Sequence, residues 1–323
     1  MASGKLIFFT GKGGVGKTTV SCASAYHFAA QGQKTILVSS DPAHSTDDVL
    51  GVKIASTPTQ IHNNLWAMNI QGEEAAKSFG DKLNAQMADM THNVPGFDPA
   101  LLSDMAAFPG MDEYFAMEQI YKLMIEDDYD IVIFDTAPTG HTLKMLVAPD
   151  AIRSFLLRIL RMKAKIENIK GFVFRKKSKT DEMVKELENI CERIEEFKLL
   201  LRGDKTSLNL VSIATEAGYQ ECARTVKYLQ SLGFTIEHIL INNIVPDFGG
   251  EIWKDATKNP AVAMLYRQYI IQQPYLSNYH TLAELHKTRL VGLTTVPYEP
   301  IGLNQGLPKF ASMVWGRKGM RGS

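Results

Sequence analysis

Short apolar runs, each closed by a polar or glycine-rich turn, recur along the chain and alternate with stretches of helical periodicity. Lys5 to Thr10 (KLIFFT), Ile131 to Phe134 and Ile239 to Ile241 carry their apolar residues consecutively rather than at every second position. Strands of that kind have both faces covered, as in a parallel sheet flanked by helices. The pattern predicts strands near 5–10, 34–39, 65–70, 130–135, 208–213, 236–242 and 291–297, with helices between most of them. The expected fold class is α/β, a doubly wound and mostly parallel sheet.

Two stretches, about 72–127 and 150–205, are helical in pattern and unlike the sheet segments, which predicts an inserted α-helical subdomain. From Ser178 to Gly203 the residues Met183, Leu187, Ile190, Ile194, Phe197 and Leu201 repeat by four and three, a seam for another helix. Ser178 or Thr180 suits its start, and Arg202 with Gly203 its end. Met87, Met90, Met105, Met111, Met117 and Met124 crowd the first stretch. Flexible thioethers suit an adaptable apolar groove, and they suit ordinary core packing as well. Residues 92–100 are expected to break the helices. Ala151 to Ile166 is amphipathic, with Ile152, Phe155, Leu156, Ile159 and Ile166 on one side and Arg153, Arg158, Arg161 and Lys165 mostly opposite. It reads as a groove wall or lid in preference to a membrane-surface helix.

The chemistry lies at the first strand's end. Residues 11–18 read Gly-Lys-Gly-Gly-Val-Gly-Lys-Thr, between the strand Lys5–Thr10 and an alanine-rich helical stretch, Thr18 to Gln31. A strand, a glycine-rich turn and a helix N-terminus are the setting of a phosphate-binding loop. Gly11, Gly13, Gly14 and Gly16 free the backbone to turn its N–H groups around phosphate oxygens, with Val15 and Thr19 completing the nucleotide-binding stretch. Lys17 is expected to neutralise the β- and γ-phosphates of ATP, and the Thr18 hydroxyl to bind Mg²⁺. Lys12 stands on the loop's outer side, out of easy reach of its own phosphates.

Ligands of a doubly wound sheet collect at the carboxyl ends of its strands. After Ile36–Ser40 comes Asp41-Pro42-Ala43-His44-Ser45-Thr46-Asp47-Asp48, and after Ile131–Phe134 comes Asp135-Thr136-Ala137-Pro138-Thr139-Gly140-His141-Thr142. Asp41 and Asp135 are expected to hold Mg²⁺ through water, Asp135 as a Walker B acid. His44 and His141 read as switch-positioning residues.

Composition narrows the partners. Lys plus Arg and Asp plus Glu both number 35, so no net field attracts nucleic acid or an anionic membrane. The N-terminus lacks a secretory pattern and no apolar run is long enough to span a bilayer, which predicts a cytoplasmic protein. Cys22, Cys191 and Cys222 are widely separated and read as small apolar residues.

The loop with Lys12, the DPAH segment with Asp48 and the DTAPTGHT segment together resemble the arsenical-pump ATPase family, over nearly the whole chain. That family includes cytosolic ATPases that target tail-anchored membrane proteins. The resemblance implies a single domain over 1–323 of the P-loop NTPase class with a deviant Walker A loop, its helical insertion binding clients. It implies a homodimer in which Lys12 crosses to the partner's nucleotide, and Asp48, counted from Asp41 in preference to the adjacent Asp47, polarises the attacking water. It likewise implies an adenine pocket of Asn242, Pro297 and Tyr298, although Asn242 also reads as a turn asparagine. The family's glutamate has no counterpart in register, since Thr215-Glu216 is displaced by one position.

The implied activity is an ATP- and Mg²⁺-dependent clamp for the apolar transmembrane helix of a client, with room for a membrane receptor. The chain departs from eukaryotic targeting members in having no cysteine in residues 243–275, so no zinc is expected at the dimer contact. An ATPase subunit for arsenite efflux and a nucleotide-independent holdase are the alternatives.

Overall fold

The computed structural model describes residues 4–41, 45–70, 77, 81, 111–125, 127–136 and 179–316. The strands are β1 (Lys5–Thr10), β2 (Thr35–Ser39), β3 (Thr59–His62), β4 (Leu65–Asn69), β5 (Ile131–Asp135), β6 (Thr206–Ile213), β7 (Ile236–Ile244) and β8 (Arg289–Thr294). The described helices are α1 (Lys17–Ala30), α2 (Ser45–Leu50), α3 (Met111–Ile125), α4 (Lys179–Arg202), α5 (Glu216–Ser231), α6 (Gly250–Lys254), α7 (Pro260–Leu285) and α8 (Leu307–Gly316).

The eight strands form one sheet in the order β3-β4-β2-β5-β1-β6-β7-β8. All neighbours pair in parallel except β3 with β4. The fold is α/β with a mostly parallel sheet, as the apolar runs predict. β3 was not anticipated because TQIH carries no apolar run; it is a partly exposed antiparallel edge. β8 begins and ends a few residues earlier than the apolar pattern suggested.

Leu6, Ile7, Phe8 and Phe9 of β1 are all buried, on both faces of the central strand. Complete burial of each such side chain stabilises by about 1.5–3 kcal/mol. One layer of the core joins Ile7, Phe9, Leu37, Ile133, Val211 and Leu240 to α1 residues such as Val20 and Cys22 and to Phe310 and Val314 of α8. On the other face Phe8 meets Phe134 edge to face, with ring centroids 5.5 Å apart. This packing fixes β1 and β5 side by side, so their carboxyl ends open onto one place.

The chain divides into two compact units, one of residues 1–69, 124–139 and 204–323, the other of 70–123 and 140–203. In the second, α4 buries Ile190, Ile194, Phe197 and Leu201, the expected seam. Thr180 lies inside this helix rather than capping it, because the helix starts one residue earlier, at Lys179. Tyr121 of α3 donates to Glu196 of α4 at 2.6 Å, and Arg193 pairs with Glu118. Met117 of this unit is buried, and so is Met124, which belongs to the first unit; both are packed as core residues. Met87, Met90, Met105, the break at 92–100 and the stretch Ala151 to Ile166 lie outside the described residues. Among the described residues no helix is long and apolar enough to cross a membrane.

Candidate functional site

The loop between β1 and α1 is shaped by two close approaches and by left-handed backbone. A Cβ on Gly11 would stand 2.1 Å from the Val211 carbonyl oxygen, so the chain leaves β1 against the β6 backbone only because the side chain is absent. Gly14 and Gly16 have φ of 78° and 93°, in the left-handed region. A Cβ on Gly16 would also meet the Asn242 amide nitrogen at 2.3 Å. Gly16 precedes α1 with no side-chain cap, which leaves the N–H groups of the first turn free for an anion.

The two loop lysines face different surroundings. Lys17 is buried at 7% exposure and its Nζ donates to the Lys12 carbonyl at 3.1 Å. Burial pulls its pKa down, and the carboxylates of Asp135, Asp41 and Glu221 oppose that shift. The Lys12 side chain is exposed.

Beneath Lys17, hydroxyls and carboxylates gather from α1, α2, β5 and the end of β2. Thr18 Oγ1 lies 3.4 Å from Ser45 Oγ, which donates to Asp41. Thr46 Oγ1 bonds both Ser39 Oγ at 2.9 Å and Asp135 Oδ2 at 3.3 Å. Asp135 is fully buried, and its Oδ1 has no hydrogen-bond partner. Burial raises its pKa to about 6, against the hydroxyls of Thr18, Ser21 and Thr46 and the charge of Lys17. A buried carboxylate with an orphaned oxygen, among hydroxyls, is the donor set of a hard divalent cation. Ser45 and Thr46 were missed by the sequence reading; their place in the polar segment that follows Asp41 was the available signal.

The remaining expected residues are dispersed. Asp48 sits exposed on α2. Its neighbour Asp47 turns inward, where Oδ2 accepts from the Ile54 N–H at 3.4 Å and Oδ1 is buried without a partner. Asn242 is buried at the end of β7 and donates to the Val15 carbonyl at 3.0 Å, so one of its amide hydrogens is committed to the loop. Val15 itself is buried and Thr19 half-buried. Pro297 is exposed, and Tyr298 carries the Lys309 ammonium 5.8 Å from its ring centre. Thr215 caps α5 by accepting from the Gly218 N–H at 3.2 Å, with Glu216 in the first turn. Pro42, His44 and the segment from Ala137 through His141 lie outside the described residues.

Residues 4–296 match the family model described as an anion-transporting ATPase. The chain is similar to an ATPase of Paramecium tetraurelia named as an ASNA1 homolog, 32% identical over 75% of this chain and 76% of the relative. It is 29% identical to the ASNA1 homolog of Dictyostelium discoideum, over 92% of this chain and 91% of that one. It is 28% identical to a candidate arsenical pump-driving ATPase of Chlorobaculum tepidum, over 84% of this chain but 66% of that protein's length.

Proposed function

We propose, for a chain that belongs to the anion-transporting ATPase family, that it is an ATP-hydrolysing homodimeric clamp for the transmembrane helices of tail-anchored membrane proteins, acting in the cytosol. The carrying observation is the division of labour between two lysines on one loop: Lys17 buried toward Asp135, Lys12 exposed. In this reading the triphosphate lies along the N–H groups of residues 11–19, and Lys17 exchanges its bond to the Lys12 carbonyl for phosphate oxygens. Thr18, with Asp41 and Asp135 through water, would hold Mg²⁺, which neutralises phosphate charge. Lys12 reaches the nucleotide of the second copy. Asp48 orients the attacking water: its carboxylate is exposed, whereas that of Asp47 is engaged with the Ile54 backbone. The purine edge takes the part of the Asn242 amide left free by Val15, against Pro297 and Tyr298.

The helical insertions, about 72–127 and 150–205, supply the client groove in this proposal. Moving such a clamp from mostly open to mostly closed takes roughly 5 kcal/mol of differential binding, within reach of several charge-assisted contacts to a triphosphate. The ASNA1-named relatives favour this reading. The arsenical-pump name of another relative keeps a metalloid-efflux role as the second.

The test is co-expression of the full chain with an apolar tail helix, comparing wild type and Asp48→Asn in ADP, ATP and no nucleotide. Asp48→Asn should bind ATP, lose hydrolysis and retain the tail in a complex of two copies. Equal tail affinity in all nucleotide states would sink the clamp, and arsenite stimulation of ATP turnover without tail binding would favour the efflux reading.

A further inference from the structure

Helix α7 holds the nucleotide side of the sheet through two side chains seven residues apart on one helical face. Tyr279 is fully buried, its Oη lying 2.6 Å from Ser212 Oγ and 3.1 Å from the Ile213 carbonyl at the end of β6. Gln272, 6% exposed, uses both ends of its amide. Nε2 donates to the Asn243 carbonyl at 2.9 Å, and Oε1 accepts from the Val245 N–H at 2.9 Å.

Those two bonds straddle a kink. Asn243 has φ of 57°, in the left-handed region, and the β7–β8 register shifts between Ile241 and Ile244. Backbone groups at such an irregularity lose their ladder partners, and one glutamine supplies two of them. The residue just before the kink is Asn242, whose amide donates to Val15 and occupies the space a Gly16 side chain would need.

We infer that Gln272 is a positioning residue for the phosphate loop: by clamping the backbone of Asn243 and Val245 it aims the Asn242 amide at Val15. The loop is thereby held in its phosphate-binding shape before nucleotide arrives. This assignment rests on the nucleotide role proposed above, and it adds a residue that touches neither phosphate nor metal. Preorganisation of this kind appears as affinity, because the free protein no longer bears the cost of ordering the loop.

The experiment uses the full chain with Gln272→Leu, which removes both bonds, and Gln272→Glu, which keeps an oxygen for the Val245 N–H. In nucleotide-free protein, hydrogen exchange of residues 11–17 should quicken by about tenfold in Gln272→Leu while the strand amides keep their protection. ATP affinity should weaken by about tenfold, with kcat at saturating ATP within about twofold of wild type. Gln272→Glu should recover part of both effects. Combined with Asn242→Ala, Gln272→Leu should add no further loss, since both act through one contact.

Unchanged loop exchange, loss of protection spread evenly through the sheet, or full additivity with Asn242→Ala would each overturn the assignment. Should the wild type bind no nucleotide, the ATPase reading fails, and loop exchange still decides the clamp.

Discussion

Asp135 is the residue whose environment bears most directly on the chemistry of the site. Burial without a partner for one oxygen disfavours the charged form of Asp135 and raises its pKa to about 6, so the carboxylate present at neutral pH is held at a cost. The sign follows from linkage: a folded-state pKa above the unfolded value near 4 means the folded protein binds the proton more tightly. The stability this contributes is complete below about pH 4 and is lost as pH rises through about 6. Asp135→Asn should therefore raise the melting temperature of the metal-free protein at pH 7.5, a gain of roughly 1–3 kcal/mol, and leave it little changed at pH 4. The same substitution should abolish Mg²⁺-dependent ATP hydrolysis. In the wild type, Mg·ATP affinity should rise between pH 5 and 7 and level off above, because the acid must lose its proton to meet the cation's water. Differential scanning fluorimetry across pH checks the first effect and titration calorimetry the second; a wild type and variant with parallel pH profiles would refute both.

At the scale of elements, α7 shows how a long helix is tied down by few groups. Much of its surface is exposed, including Met264, Ile270 and Ile271, while Gln272, Tyr279, Leu282 and Ala283 are buried. Asn259 caps its start by accepting from the Ala261 N–H at 3.0 Å. Tyr279→Phe keeps the ring and deletes the hydroxyl that faces Ser212 and Ile213, which should lower the melting temperature by roughly 2–4 °C. An unchanged melting curve would show that water satisfies these groups as well as the tyrosine does. The sequence made legible the elements with strong periodicity: β1, β5 and β7 as unbroken apolar runs, α4 by its four-and-three seam, the phosphate loop by its glycines. It concealed β3, a four-residue edge with Ile61 as its single apolar residue, which gains its strand conformation from pairing with β4 and from Ile61 packing on the core. The site was legible where local geometry dictates residue type, as at Gly16, and illegible where a long-range contact does. Asn242 reads as a turn asparagine or a base-binding amide, and only folding brings it to Val15, 227 positions away. Gln272 gave no signal at all, because a glutamine on a partly exposed helix is ordinary until the strand beside it is known to kink.

For the whole molecule, the balance of 35 basic against 35 acidic residues leaves little long-range field to draw two copies together. Association in the proposed clamp must then come from short-range contacts completed by nucleotide, and Lys12 is the exposed cation placed on the loop itself. A hydrogen bond to a charged group contributes about 1.5–3 kcal/mol, and twofold symmetry makes the contact twice, so Lys12→Ala should remove about 3–6 kcal/mol from the ATP-bound dimer. That converts to a dimer dissociation constant weaker by roughly 10²–10⁴. Sedimentation velocity with a non-hydrolysable ATP analogue should show wild type as a dimer and Lys12→Ala as a monomer at micromolar concentration. Nucleotide binding by each single copy should survive the substitution, because Lys17 and the glycine backbone remain. A Lys12→Ala protein that dimerises as tightly as wild type would mean that the second lysine is only a solvated side chain, and that closure, if it occurs, is driven from elsewhere on the surface.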